Sequence, residues 1–322
     1  MDVAVSLQGL TRRFGDVHAV QDLSLDVAAG ELFGVVGPDG AGKTTTFRML
    51  AGVLRPSGGD ATILGVSVAR DPEGVKRHVA YMAQRFGLYT DLTVRENIEF
   101  YADLYGVPDA ERPRRMERLY AFSGLGPFQD RLAGQLSGGM KQKLGLSAAL
   151  IHQPRVMILD EPTFGVDPIS RRDLWLIVHE MVATGTTVMV STAYLDEAER
   201  CDRVALLHQG QLLALDQPAA LQARLGGKVL AVQVDRPRAA LTLLRAVPAV
   251  RQAVLFGDVI HLTLDRPERD WAHGHAALQS AGHTVRAVQA TEPTLEDVFI
   301  DLVRTAPQGS GRLTPSAGAA GP

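Results

Sequence analysis

Gly37-Pro38-Asp39-Gly40-Ala41-Gly42-Lys43-Thr44 fits the pattern G-x-x-x-x-G-K-[ST], and its flanks supply the setting that pattern needs. Before it, Leu32-Phe33-Gly34-Val35-Val36 is an unbroken apolar run and reads as a buried strand. After it, Phe47, Leu50 and Leu54 recur at the spacing of one helix face. A strand that turns through glycines into a helix makes a cradle for phosphate. Glycine lets the backbone curve and approach closely, so that N–H groups converge on an anion. The helix that follows adds its positive end. Lys43 is placed to reach the β- and γ-phosphates of a triphosphate, and the Thr44 hydroxyl to ligate Mg²⁺.

Two further stretches extend the argument. Val156-Met157-Ile158-Leu159-Asp160-Glu161 is a second continuous apolar strand, and it ends in two carboxylates. The C-terminal end of such a strand is where α/β proteins meet their ligands. Asp160 suits Mg²⁺, directly or through water; Glu161 suits the orientation or deprotonation of an attacking water. Apolar runs ending in Asp-Glu are common, so this reading draws its weight from the loop upstream. In Leu136-Ser137-Gly138-Gly139-Met140, Met140, Leu144, Ala148 and Ile151 keep helical spacing, which places Ser137 at a helix start. That is a second anion-binding device, and one nucleotide does not obviously need two.

Around these motifs, residues 1–218 read as one α/β domain. Alternating strands such as Val3–Leu7 and Leu23–Val27 come first, and Thr187–Val190 is a third continuous apolar strand. Continuous strands separated by helices predict a mostly parallel sheet covered on both faces. A polar, largely helical subdomain is predicted over about 92–150, its clearest part at 92–135. Strands at Val229–Val232, Val259–Leu262 and Val285–Val288, with a helix from about Thr294 to Arg304, predict a small α+β domain over 219–305. Residues 306–322, rich in Gly, Ala, Ser and Pro, are predicted to be disordered.

The chain has 322 residues, 46% apolar and 21% charged, with a net charge of −3. That is room for two cores and ordinary for a soluble globular protein. No global basic field points to nucleic acid. The single cysteine, Cys201, permits no internal disulfide and fits a reducing compartment. Neither a secretory leader nor a run of about 18 apolar residues is found, so work at a membrane would pass through a partner. His273 and His275 lack a third metal ligand and read as a solvated helix end, and Arg112-Pro113-Arg114-Arg115 reads as an exposed helix face.

Together these residues resemble the ATPase subunits of ABC transporters, particularly those that drive drug-exporter permeases of the ABC-2 type. The resemblance spans about residues 3–218 with the motifs in order: 37–45, through Thr45, looks like Walker A, 136–140 like the family signature, and 156–161 like Walker B. Gln84 resembles the Q-loop residue that touches Mg²⁺ and the permease, and Asp167 the D-loop aspartate at a dimer interface. Phe14 stands where the family stacks an aromatic on adenine. Pro293–Phe299 resembles the tail of drug-exporter ATPases. The resemblance implies ATP and Mg²⁺ as ligands, with catalysis by Glu161, Lys43 and Gln84. It implies head-to-tail dimers in which the loop at 37–45 faces Ser137 and Gly139 of the other subunit. It further implies a separate permease and a place on the inner face of the cell membrane.

One position departs from the pattern. The family carries a histidine after the strand at Thr187–Val190; here the stretch reads Ser191-Thr192-Ala193-Tyr194, with Ala193 in its place. Losing such a donor could cost ~10²–10³ in rate. Three readings follow: tolerance, with Glu161 sufficing; a slow site paired with a second, histidine-bearing ATPase; or a non-catalytic nucleotide sensor. An ABC ATPase acting on nucleic acid or ribosomes is a further alternative, set against by the lack of a coiled-coil insertion or a second cassette.

Overall fold

The computed structural model describes residues 2–84 and 87–305; the tail predicted to be disordered lies outside the described residues. The strands are β1 (Val3–Phe14), β2 (Val17–Ala28), β3 (Leu32–Val36), β4 (Gly58–Ile63), β5 (Val66–Ser67), β6 (Val79–Met82), β7 (Val156–Asp160), β8 (Thr187–Thr192), β9 (Arg203–His208) and β10 (Gln211–Asp216). Four more complete the chain: β11 (Val229–Val234), β12 (Gln252–Phe256), β13 (Val259–Thr263) and β14 (Val285–Ala290). The helices are α1 (Lys43–Leu50), α2 (Pro72–Lys76), α3 (Val94–Leu104), α4 (Arg112–Ser123), α5 (Gly138–Leu150), α6 (Pro168–Ala183), α7 (Leu195–Ala198), α8 (Pro218–Ala223), α9 (Pro237–Arg245), α10 (Pro267–Ser280) and α11 (Leu295–Thr305).

The strand before the phosphate loop lies inside a six-stranded sheet of order β10-β9-β3-β8-β7-β6. It is parallel except for the edge strand β10, which returns antiparallel beside β9. Every residue of β3, β7 and β8 is buried, and the pleat explains why they are apolar without alternation. Leu32, Val36, Met157, Leu159, Val188 and Val190 point into one core. Phe33, Val35, Val156, Ile158 and Met189 point into the other, which the antiparallel sheet β2-β1-β4-β5 closes. The α1 helix ends at Leu50, with Gly52 at φ 67°, so Leu54 packs on that core from the turn beyond and not from the helix face its spacing suggested.

Between β6 and β7, α3, α4 and the buried face of α5 share a third core. Thr93 and Glu96 form a reciprocal capping box at the start of α3. The basic run at Arg112–Arg115 is less exposed than its composition suggests. Arg112 is held by Asp103 and the carbonyl of Val107, and Arg115 by Glu111 and the carbonyl of Ile151.

The C-terminal sheet, β12-β13-β11-β14, is antiparallel and has its own core with α9 and α10. His275 packs against Trp271 within α10 and not at a solvated end. α11 joins the two parts of the chain. Its Leu295 and Val298 enter the first core, while its buried Asp297 meets His261 at 3.0 Å and its Asp301 meets Arg251 at 2.6 Å.

His152 stacks on Tyr105 with ring centroids 3.9 Å apart, and neither ring nitrogen has a hydrogen-bond partner. Burial, helped by the nearby Arg115 charge, lowers its pKa from 6.5 to about 4. The native state therefore refuses a proton that the unfolded chain accepts between those values, so stability should fall as pH drops from 6.5 towards 4. His152→Phe should flatten that part of the pH–stability curve; urea melts of both chains across this range check it.

Candidate nucleotide-binding site

The phosphate loop runs from the end of β3 to the start of α1, and two of its glycines are demanded by neighbouring backbone. A Cβ at Gly37 would lie 2.2 Å from the carbonyl of Leu207 in β9. One at Gly42, which caps α1 at φ 102°, would lie 2.5 Å from the carbonyl of Ala19 in β2. Pro38, Asp39 and Gly40 form the exposed tip, Ala41 is buried, and Thr44 and Thr45 are half-buried in the first turn.

Lys43 is only 4% exposed, and its ammonium donates to the carbonyls of Gly37 (2.7 Å) and Pro38 (3.1 Å). The same nitrogen is 3.1 Å from Oε1 of Glu161. Oε2 of Glu161 accepts from Nε2 of Gln84 at 2.9 Å. The three residues assigned to catalysis thus form one connected string. Glu161 has φ 49°, a left-handed backbone that non-glycine residues avoid and that turns the chain sharply after β7.

Asp160 has no exposed surface. Its Oδ1 accepts from Thr44 Oγ1 (3.1 Å) and Ser191 Oγ (2.7 Å), and its Oδ2 from the hydroxyl of Tyr81 (3.1 Å). The Ser191 oxygen also accepts the backbone N–H of Glu161 at 2.9 Å. Burial, and then the Asp160 charge, push Tyr81 up to about 12, so it remains a protonated donor at neutral pH. The C-terminal ends of β6, β7 and β8 and the start of α1 therefore converge on one carboxylate. Thr44, Asp160 and Gln84 offer hard oxygen donors, the chemistry that suits Mg²⁺, an ion that takes few protein ligands beside phosphate and water. The oxygens of Thr44 and Asp160 already lie within 3.1 Å of each other, so the donor set fits the ion.

Ser137, Gly139 and Asp167 gather elsewhere. Ser137 is exposed and caps α5, accepting from the N–H of Met140 at 3.3 Å. Asp167 caps α6 through the N–H groups of Ile169 (3.1 Å) and Ser170 (3.0 Å), and the Ser170 N–H holds its carboxyl below the usual range. The two helix starts touch: a Cβ at Gly139 would meet Ser170 Oγ at 2.2 Å. Among the described residues no hydrogen bond or ion pair links this group to the phosphate loop. Phe14 stands apart again, 47% exposed at the end of β1, with the Arg12 guanidinium 4.5 Å from its ring centroid.

Ala193 is exposed, and its neighbours are occupied. Thr192 Oγ1 donates to Glu197 Oε2 at 2.7 Å, and Thr163 Oγ1 donates to the same oxygen at 2.9 Å. The Tyr194 ring lies under the guanidinium of Arg171, which also sits 3.4 Å from the buried Glu197. The Thr192 hydroxyl is thus committed to Glu197, and the Tyr194 ring is held against Arg171. Tyr81, Ser191 and Glu197 escaped the sequence reading, because their roles come from strand ends brought side by side and no local pattern marks them.

A family model described as ABC transporter matches residues 20–164, and one described as ATP-binding protein DrrA1-3-like, C-terminal domain, matches 217–303. The chain is 44% identical over 306 residues to the probable multidrug ABC transporter ATP-binding protein YbhF of Escherichia coli K12, covering 94% of this chain but 52% of that protein, about half its length. It is 35% identical over 303 residues to the daunorubicin/doxorubicin resistance ATP-binding protein DrrA of Streptomyces peucetius, covering 93% of this chain and 92% of DrrA. A solved structure of an ATP-binding subunit of an ABC transporter superposes with a TM-score of 0.63 at 31% identity, over 69% of this chain and 92% of that one. The chain belongs to the ABC transporter ATP-binding family, a family of ATPases, and within it carries the DrrA-like C-terminal domain.

Ser191→Ala should leave the Asp160 carboxylate one donor short and the Glu161 N–H without its acceptor. A loss of about 1–3 kcal/mol in chemical denaturation is expected, the cost of stranding buried polar groups. An unchanged midpoint would show that water replaces the hydroxyl.

Proposed function

We propose that the chain binds and hydrolyses Mg·ATP to drive a separate ABC-2-type membrane permease exporting drugs or other lipophilic compounds, working from the inner face of the cell membrane. The observation that carries this reading is the string Lys43–Glu161–Gln84 beside the buried Asp160. A triphosphate on the loop competes with Glu161 for the Lys43 ammonium. Glu161 is then free to orient the attacking water and take its proton, while Lys43 and the N–H groups of residues 37–45 neutralise charge on the phosphates. Thr44 and Asp160, with Gln84 as a further donor on this reading, would hold Mg²⁺, which would supply charge neutralisation at the phosphates.

Export is supported by the names of two relatives, a probable multidrug ABC transporter ATP-binding protein and a daunorubicin/doxorubicin resistance ATP-binding protein. No helix of the described residues is long and apolar enough to cross a membrane, so on this reading the pathway belongs to a partner. An exposed aromatic strip supports such a partner. Tyr89, Leu104 and Tyr105 are 45%, 62% and 39% exposed on the helical part that follows Gln84. Tyr89, Phe100, Tyr101 and Tyr105 continue from ring to ring, and Tyr101 is tied to the carbonyl of Gly87.

Dimerisation is part of the reading, with an identical chain or a second ATPase. The group around Ser137 needs a phosphate that its own loop does not bring to it, and Phe164 and Ile169 beside Asp167 are 56% and 71% exposed. Phe14 stacks on adenine, for which its π-face suffices. Ala193 favours a slow site within this dimer. Steady-state Mg·ATP turnover should rise about tenfold or more in Ala193→His and vanish in Glu161→Gln, by the scale of other preorganised donors. Brisk wild-type turnover unmoved by the histidine would show that Glu161 suffices.

A further inference from the structure

A cavity of ≈ 340 Å³ opens at the N-terminal ends of β7 and β8, the end of the six-stranded sheet opposite the nucleotide site. It lies between α4, the ends of α5 and α6, and the turns that lead into β7 and β8. Each of these last four elements carries a nucleotide-site residue at its far end. α5 starts at Ser137 and finishes at the cavity; α6 starts at Asp167 and finishes there. β7 runs from the cavity wall at Arg155 to Asp160, and β8 from Thr186 to Thr192.

The walls divide by chemistry. Leu119, Phe122, Leu150 and Met181 give an apolar floor that joins the first and third cores. Three guanidiniums and one carboxylate stand around it. Arg115 is committed, since Glu111 and the Ile151 carbonyl hold it, and it answers the negative end of α5. The guanidinium groups of Arg118 and Arg155 have no hydrogen bond, ion pair or ring contact among the described residues, and neither does the Glu180 carboxylate. Two uncommitted cations therefore face one uncommitted anion over an apolar floor. Gln153 adds a polar wall residue held at φ 55°, an unusual backbone for a residue with a side chain.

We propose that this cavity is a binding site for a small amphipathic organic anion, one aromatic ring system or short chain bearing a carboxylate or sulfonate. Its volume lies within the range of about 300–1,000 Å³ usual for small-molecule sites. The apolar body rests on Leu119, Phe122 and Met181, and the acidic head is clamped between Arg118 and Arg155, for which guanidinium forks are suited. A ligand seated here touches the far ends of four elements that hold the nucleotide residues.

The test is calorimetric titration of the full-length chain with 1-naphthalenesulfonate, without nucleotide, so that its failure leaves the transport reading standing. Saturable binding of one molecule per chain is expected. It should weaken at least tenfold in the Arg118→Gln/Arg155→Gln double variant, whose exposed side chains support no other contact. It should tighten several-fold in Glu180→Gln, where the opposing charge is removed. The neutral methyl naphthyl sulfone should bind at least tenfold more weakly than the sulfonate. No saturable binding, equal binding by the double variant, or equal binding of the neutral compound would each overturn the proposal.

Discussion

Asp160 carries a carboxylate with no exposed surface, and oxygens so placed must be met by hydrogen-bond donors or their burial costs stability. Thr44, Ser191 and Tyr81 meet it, and each comes from a different element. The need to satisfy one anion therefore fixes α1, β8 and β6 around the end of β7. Lys43 follows from Thr44 by one residue, Glu161 from Asp160 by one, and Gln84 from Tyr81 by three. The string of contacts among Lys43, Glu161 and Gln84 is a consequence of that register. The tight backbone at Gly37 and Gly42 does the remaining work, since it lets the loop lie against β9 and β2 without a side chain between them.

The second anion device obeys a different constraint. Ser137 and Asp167 each cap a helix, and those helix starts pack so closely that position 139 has no room for a side chain. This locks α5 to α6 as one unit that presents Ser137 outward. The loop at 37–45 and the serine at 137 are thus two pieces with no hydrogen bond or ion pair between them among the described residues. We read them as complementary halves, completed when a second subunit brings its serine to this loop. Closure about ATP would then be the event that moves a membrane partner.

The sequence was most legible where one residue type at one spacing has one physical use. Lys43 and Thr44 after a glycine loop, two carboxylates after an apolar strand, and Ser137 before a helical pattern all name their task locally. The parallel sheet was legible too, because strands buried between two cores have no polar face to alternate with. What stayed hidden depends on distant segments meeting. Nothing in the local sequence marks Tyr81 until β6 is laid beside β7, or Glu197 until Thr163 and Thr192 donate to it. Leu54 shows the converse, a residue at helical spacing that packs on the core from outside the helix. At 193 the sequence showed the loss of an imidazole, and the structure adds that the flanking hydroxyl and ring are already engaged.

A phosphate cage shared between two chains has a mass that light scattering can read. Glu161→Gln with Mg·ATP should run at twice the chain mass. Adding Ser137→Arg in the same chain should return it to a single mass while ATP stays bound to its own loop. A doubled mass that survives Ser137→Arg, or bound ATP lost with it, would contradict a cage built from two subunits.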